Sequence, residues 1–328
     1  MKLSKEHSAA PEHPPMATPP GPNSIRVGID LGGTKIEIIG LAQDQRVVLQ
    51  KRFSTPRGRY RAIIEALAAA VEFAEFNTKE TLHRPLGLGT PGAVSHKTGR
   101  MKNCNTTELN GRDLVKDLSQ VLQRPVKIAN DADCFTLSEA IDGAGQNHTA
   151  VFGVILGTGV GGGLAVHQKL LTGPNAITGE WGHNLMPLAR LKRQTDFPWS
   201  QGRICYCGQQ DCIETWLSGP GLAMSFKELT GTDFHGAHIL QNPTQSPATQ
   251  AIFDQYSQLC ALALSTIINS LDPDIIVLGG GLSNIPGLCE AIRSHWTSYV
   301  FSDKVDTMLA CAAHGDASGV RGAAYLWS

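Results

Sequence analysis

The sequence predicts an α/β protein made of two copies of one unit that face each other across a cleft. Three observations lead there. A β-prone run that ends in a glycine-rich turn and returns as a second β-prone run occurs at 27–30 with Gly32-Gly33-Thr34-Lys35, and again at 152–156 with Gly157-Thr158-Gly159. Runs of this kind alternate along the chain with segments of helical periodicity. The 328 residues are 41% hydrophobic and include 35 glycines, which suits a globular protein with many tight turns and room for two domains.

Residues 1–24 carry Pro11, Pro14, Pro15, Pro19, Pro20 and Pro22 and few large apolar side chains. Such a segment cannot bury enough surface to offset its ordering entropy, so a disordered tail is expected. It lacks the apolar core of a secretory signal, and Met16 is a second candidate start beside Met1. Order should begin at Ile25, with strands at 25–30, 36–41 and Val47–Ser54 forming a meander. Residues 59–76 place Ile63, Ile64, Leu67 and Val71 at helical spacing. A strand at 86–88 runs into the turn Gly89-Thr90-Pro91-Gly92, followed by a helix over Leu114–Leu122 and a strand at 126–129. Asn130-Asp131 then stands between that strand and a helix at 132–141.

The second half repeats the plan. Strands at 151–156 and 163–167 are joined by a glycine turn that extends through Gly162, and helices are expected at 221–229 and 248–271. A strand at 275–278 enters Gly279-Gly280-Gly281, a helix follows Pro286, and an apolar helix closes the chain at 319–327. The expected division is a small lobe over 25–141, completed by the C-terminal helix at about 314–328, and a large lobe over 142–313.

A net charge of −1 points to neither a nucleic acid nor a membrane surface as the main partner. No apolar run reaches the roughly 18 residues of a membrane span, and a cytoplasmic address is the default. Of eight cysteines, three lie together at Cys205, Cys207 and Cys212. Without a signal peptide this cluster reads as metal ligation, and Cys104, Cys134, Cys260, Cys289 and Cys311 as small buried hydrophobes.

His183 in Gly179-Glu180-Trp181-Gly182-His183 can complete a Cys3His tetrahedral zinc site with those cysteines. A set with no spare ligand is structural, so the metal would pin a loop and present Glu180, His183 and Glu214 to a polar small molecule. Trp181 fits equally well as a stacking platform or as a core residue. Gly157-x-Gly159-x-x-Gly162 formally matches a dinucleotide fingerprint, but β-prone residues follow where a helix is required. As hairpin turns, this loop and Asp30-Leu31-Gly32-Gly33-Thr34-Lys35 can offer backbone N–H groups to phosphate, or serve only to reverse the chain. Asp30 can hold magnesium through water. Asp131 has the position of a base for a hydroxyl attacking phosphorus, although Asn130 or Asp131 can equally be a plain helix cap. Asp133 is a competing carboxylate in the first helical turn.

These residues together resemble the ROK family of bacterial sugar kinases and repressors, in the actin/hexokinase/Hsp70-like superfamily. The segments that carry the resemblance are Asp30-Leu31-Gly32-Gly33-Thr34-Lys35, Asn130-Asp131-Ala132, Leu156-Gly157-Thr158-Gly159-Val160-Gly161-Gly162-Gly163, Gly179-Glu180-Trp181-Gly182-His183 and the cysteine run. The resemblance spans about residues 25–328. It implies a two-lobed actin-like, ribonuclease H-like ATPase fold and ATP- and Mg2+-dependent phosphorylation of a hexose. Asp131 would be the catalytic base, with Gly92, Asn105, Asn130, Glu180, His183 and Glu214 binding the sugar. Asp30, Gly32, Gly33, Thr34, Lys35, Gly157, Thr158, Gly159, Gly280 and Gly281 would bind the nucleotide. His183, Cys205, Cys207 and Cys212 would hold Zn2+. Within the family the motifs look most like the mannokinase-like fructokinases, with N-acetylglucosamine kinase and glucokinase as alternatives. A sugar-responsive regulator or a non-catalytic sugar-binding protein are readings of another class, and a homodimer is a family expectation. One departure is Asp211, which stands where the family usually has glycine, and which puts the shape of the cysteine loop in question.

Overall fold

The computed structural model describes residues 25–78, 85–191, 202–233, 241–243 and 245–328. The tail expected over 1–24, with both candidate starts, lies outside them. Along the chain run β1 (Arg26–Leu31), β2 (Lys35–Leu41), β3 (Val47–Ser54), α1 (Tyr60–Thr78), β4 (Leu86–Thr90), the short pair β5 (Ala93–Val94) and β6 (Met101–Lys102), α2 (Leu114–Leu122), β7 (Val126–Asn130) and α3 (Asp131–Ile141). Then come β8 (Ala150–Leu156), β9 (Val160–Val166), β10 (Lys169–Leu170), α4 (Glu214–Leu217), α5 (Gly219–Thr230), α6 (Pro247–Leu271), β11 (Ile275–Gly279), α7 (Leu288–Trp296), β12 (Met308–Cys311) and α8 (Ser318–Tyr325).

Two five-stranded sheets have the orders β3-β2-β1-β4-β7 and β10-β9-β8-β11-β12. In each, three antiparallel strands form a meander whose first strand pairs in parallel with a fourth strand, which in turn pairs in parallel with the fifth. Order and polarity match strand for strand, so the duplication expected from the paired hairpins is a duplication of topology. Strands covered on both faces are buried almost throughout, as in β2 and β11. The outer strand β3 is largely exposed and carries Arg52 and Lys51, charges that suit a sheet edge.

Helix α3 belongs to the interface between the sheets, because it packs on β8 and β9 as well as on α8. This contact corrects the expected boundary of the second hairpin. The turn is only Gly157-Thr158-Gly159, and β9 starts at Val160, paired with Leu156. Gly161, Gly162 and Gly163 are strand residues. A Cβ at Gly163 would lie 2.6 Å from Thr136 Oγ1 and 3.1 Å from Ala132 O of α3, so glycine is required there by close approach. The edge strand β12, short and half exposed, was not expected, because Met308–Cys311 is an apolar run of only four residues, too short for periodicity to tell strand from helix. Helix α5 starts earlier than its periodicity suggested because Ser218 caps it and Pro220 follows in its first turn.

The chain crosses between the sheets twice, at 142–149 and at 312–317. Buried Glu139 ties the crossings together: Oε2 accepts from Ala144 N at 2.9 Å and Ala313 N at 3.0 Å, and Oε1 accepts from Ser318 Oγ at 2.7 Å. Beside it, Asp142 accepts from Tyr325 Oη at 2.6 Å and pairs with Arg321. Among the described residues no helix is long and apolar enough to cross a membrane.

Candidate active site

The N-terminus of α3 is the centre of the site. Asn130 is its N-cap, with Oδ1 accepting from Asp133 N at 2.5 Å. Of the two capping candidates, Asn130 is therefore the cap, and Asp131 is the first residue of the helix. Asp131 bonds its neighbour's amide, Ala132 N, at 2.9 Å and opens to solvent. The protein around it nonetheless desolvates the carboxylate and raises its pKa, against the lowering effect of the backbone N–H bonds.

Other carboxylates gather here. Asp30, at the end of β1, is pushed up to about 7 by burial first and by Asp131 second, with Lys35 opposing. Asp133 is likewise pushed up to about 7 by burial, then by Glu180 and Asp131. Glu180 is raised by desolvation, with His183 opposing and Asp131 and Glu214 adding to the rise. Asp30, Asp131, Asp133, Glu180 and Glu214 therefore feel one another, a cluster of like charge that favours holding protons or cations.

Both glycine turns flank this centre. In the first, Gly32 N donates to Lys35 O at 2.9 Å and Thr55 Oγ1 donates to Gly32 O at 2.8 Å, leaving Gly33 and Thr34 exposed. Lys35 is not at the tip: it opens β2 and its Nζ lies 3.8 Å from Glu37. In the second, Gly157 N donates to Gly159 O at 3.0 Å, Gly219 N donates to Gly157 O at 2.8 Å, and Thr158 is exposed. Gly280 has φ +81, and a Cβ there would lie 2.4 Å from Leu156 O, which brings the 279–281 turn against the same hairpin. Gly281 faces open space.

The expected sugar residues divide. Glu214 reaches the second turn, where Oε2 accepts from Val160 N at 2.9 Å, so one carboxylate oxygen is already engaged. Gly92, with φ +76, turns the chain against Lys102 and Cys104. Asn105 stands exposed in the loop that leads to Thr106, whose hydroxyl is near Gly33. Trp181 is not a platform: it is 3% exposed, donates Nε1–H to Gly161 O at 2.9 Å and meets Phe152 edge-on.

The ligand atoms of His183, Cys205, Cys207 and Cys212 all lie within 4.8 Å of one another. Cys205 Sγ is 3.6 Å from His183 Nδ1, and Cys207 Sγ is 3.6 Å from Cys212 Sγ. Zinc–sulfur bonds of about 2.3 Å in a tetrahedron need sulfur separations of about 3.8 Å, so the donor set fits zinc. Asp211, the unusual residue of this loop, has φ +53, and its carboxylate accepts from Gly202 N at 2.8 Å and Arg203 N at 3.0 Å. Two side chains here were not foreseen. Tyr206 Oη lies 3.0 Å from His183 Nε2, and Arg203 stacks 3.7 Å over Trp216 while pairing with Glu228. An aromatic between two ligand cysteines was the available signal for the first; nothing local marked the second. Of the scattered cysteines, Cys311 is exposed rather than buried.

The ROK family profile matches residues 26–328. The chain belongs to the ROK family. N-acetyl-D-glucosamine kinases of Shigella flexneri and of Escherichia coli are each 37% identical to this ROK protein over 311 residues, which cover 91% of this chain and 98% of the relative. Among solved structures, the ROK hexokinase of Thermus thermophilus superposes with a TM-score of 0.78 at 27% identity, covering 92% of this chain and 97% of that one. A ROK family glucokinase of Streptomyces griseus in complex with glucose and AMPPNP gives 0.74 at 26% identity, covering 92% and 99%. The two matched sheets are thus the two lobes of an actin-like fold.

Proposed function

We propose that this ROK protein is an ATP-dependent sugar kinase whose acceptor is N-acetyl-D-glucosamine. The observation that carries the reading is Asp131, facing solvent yet with its pKa raised by the protein packed around it, at a helix N-terminus between two glycine hairpins and among Asp30, Glu180 and Glu214. The lobes of the reading are 25–141 with the C-terminal helix, and 142–313. Asp131 takes the proton of the attacking hydroxyl, and its raised pKa makes it a better base near neutral pH than an ordinary carboxylate. Asn130 spends Oδ1 on its cap, which leaves Nδ2 to donate to a sugar hydroxyl. Glu180, His183, the second oxygen of Glu214, Gly92 and Asn105 complete the acceptor set.

The turns at 32–35, 157–159 and 280–281 cradle the phosphates with backbone N–H groups, and Asp30 would hold through water the magnesium that accompanies ATP and offsets phosphate charge. Zinc on His183, Cys205, Cys207 and Cys212 would supply no chemistry beyond rigidity. Those ligands hold Glu180 and Glu214 in register.

Fructose, the first choice on motif resemblance, is the competing acceptor; the 37% identity to N-acetylglucosamine kinases over nearly the whole chain supports the acylated sugar instead. A coupled ADP-release panel over N-acetylglucosamine, glucose, mannose and fructose, with and without Mg2+, tests this. N-acetylglucosamine should show the highest kcat/KM. Fructose in first place would return the ketose reading, and nucleotide turnover that no sugar stimulates would overturn the kinase.

A further inference from the structure

A cavity of about 420 Å³ opens beside the acceptor residues, between the outer strands β7 and β10. Its walls include Asn130 and Asp133, but not Asp131 and no residue of the turns at 32–35, 157–159 or 280–281. Ala93, which follows Gly92, and Thr178, which precedes Gly179-Glu180, line it as well. An acceptor seated on Asn130 with its reacting hydroxyl at Asp131 therefore turns its far end, remote from phosphoryl transfer, toward this space.

We propose that the cavity is a subsite for the N-acyl group of 2-acylamino hexoses and that it takes acyl chains longer than acetyl. The proposal rests on the sugar-kinase reading above. Val94, Ala129, Leu137 and Leu170 line the space and suit an alkyl chain. Lys127, Gln168, Lys169 and Thr172 line it as well, so the walls are mixed and not wholly apolar. At about 30 Å³ per water in the liquid, the cavity has room on the order of ten waters, far more than an acetyl group fills. An amide also finds partners. Thr178 Oγ1 accepts from Gly173 N at 3.1 Å, and its own O–H remains able to donate. Asp133 Oδ1 has no hydrogen-bond partner among the described residues. With its pKa near 7, the Asp133 carboxyl is often protonated at neutral pH and can donate to a carbonyl oxygen. Ala176, at φ +51, lines the cavity in the left-handed region, whereas Gln168, at φ +59, belongs to the two-residue turn between β9 and β10.

The test compares N-acetyl-, N-butanoyl- and N-hexanoylglucosamine, butyl N-acetylglucosaminide and glucose, by calorimetry without nucleotide and by ADP release with MgATP. Affinity should hold or rise along the acyl series, by up to roughly fourfold per methylene, the equivalent of ~0.8 kcal/mol per buried CH2. Filling the space with Leu170→Trp should lower the kcat/KM ratio of N-butanoylglucosamine over glucose at least tenfold. N-Butanoylglucosamine binding more than tenfold weaker than N-acetylglucosamine would overturn the subsite, as would a gain confined to the butyl glycoside. Acyl-dependent binding without any phosphorylation would uphold the subsite and sink the kinase reading; no binding of any sugar would sink both.

Discussion

Asp211 offers the sharpest test of how the cysteine loop is held. Its backbone sits at φ +53, where a side chain costs about 1 kcal/mol and aspartate somewhat less. Its carboxylate meets Gly202 N at 2.8 Å and Arg203 N at 3.0 Å, which closes the loop onto the strand of chain that leads to Cys205. At about 1 kcal/mol for each of these half-buried bonds, the side chain contributes about 2 kcal/mol. Asp211→Gly loses both bonds and relieves the backbone, for a net loss of about 1 kcal/mol. Asp211→Ala loses both and keeps the strain, for a loss of about 2–3 kcal/mol. Urea denaturation of the zinc-loaded proteins should rank parent above glycine above alanine, with unchanged m-values. Zinc release to a chelator should quicken in the same order, because ligand geometry and loop stability are linked. A glycine variant more stable than the parent would refute the hydrogen-bond account. Equal glycine and alanine variants would refute the backbone account.

Asp131→Asn should lower kcat by roughly 10²–10⁴-fold with little change in sugar affinity measured by calorimetry, since the amide keeps the shape and loses the base; parental kcat in this variant removes the assignment. In the parent, kcat/KM should fall as pH drops through a pKa above the ordinary aspartate value, because the base must be deprotonated and burial raises Asp131. Asp133 is held at about 7 in the folded protein against 3.8 ordinarily, so between these values the fold retains a proton the unfolded chain has released. Stability should thus decline as pH rises across that window, and Asp133→Asn should flatten the decline in urea midpoints; an unaltered slope would show that Asp133 is solvated. Gly163→Ala places a carbon 2.6 Å from Thr136 Oγ1 and should cost about 1–3 kcal/mol by thermal or urea unfolding, whereas a neutral effect would mean α3 does not seat on β9 as described. Cys207→Ala should abolish stoichiometric zinc by elemental analysis and raise the sugar KM; undiminished zinc would remove Cys207 from the ligand set.

Much of the candidate site was legible because its signals are local. The spacing of Cys205, Cys207 and Cys212, the strand–helix junction at Asn130-Asp131 and the two glycine hairpins each lie within a few residues of chain, where covalent geometry limits what the backbone can do. Helical faces such as Ile63, Ile64, Leu67 and Val71 were readable for the same reason and are buried. The sequence by itself therefore determined the main elements, the duplicated plan and the chemical kinds of residue at the candidate site. Only the tertiary structure decided how surfaces approach one another. A glycine at 163 reads alike in a turn or a strand until α3 presses on it. Trp181 could stack or be buried until Gly161 O accepted its N–H. Glu214 lost one oxygen to Val160 N, 54 residues earlier, and the cavity drew its walls from residues as distant as Ala93 and Ser328. Such contacts depend on packing between segments that no local spacing encodes.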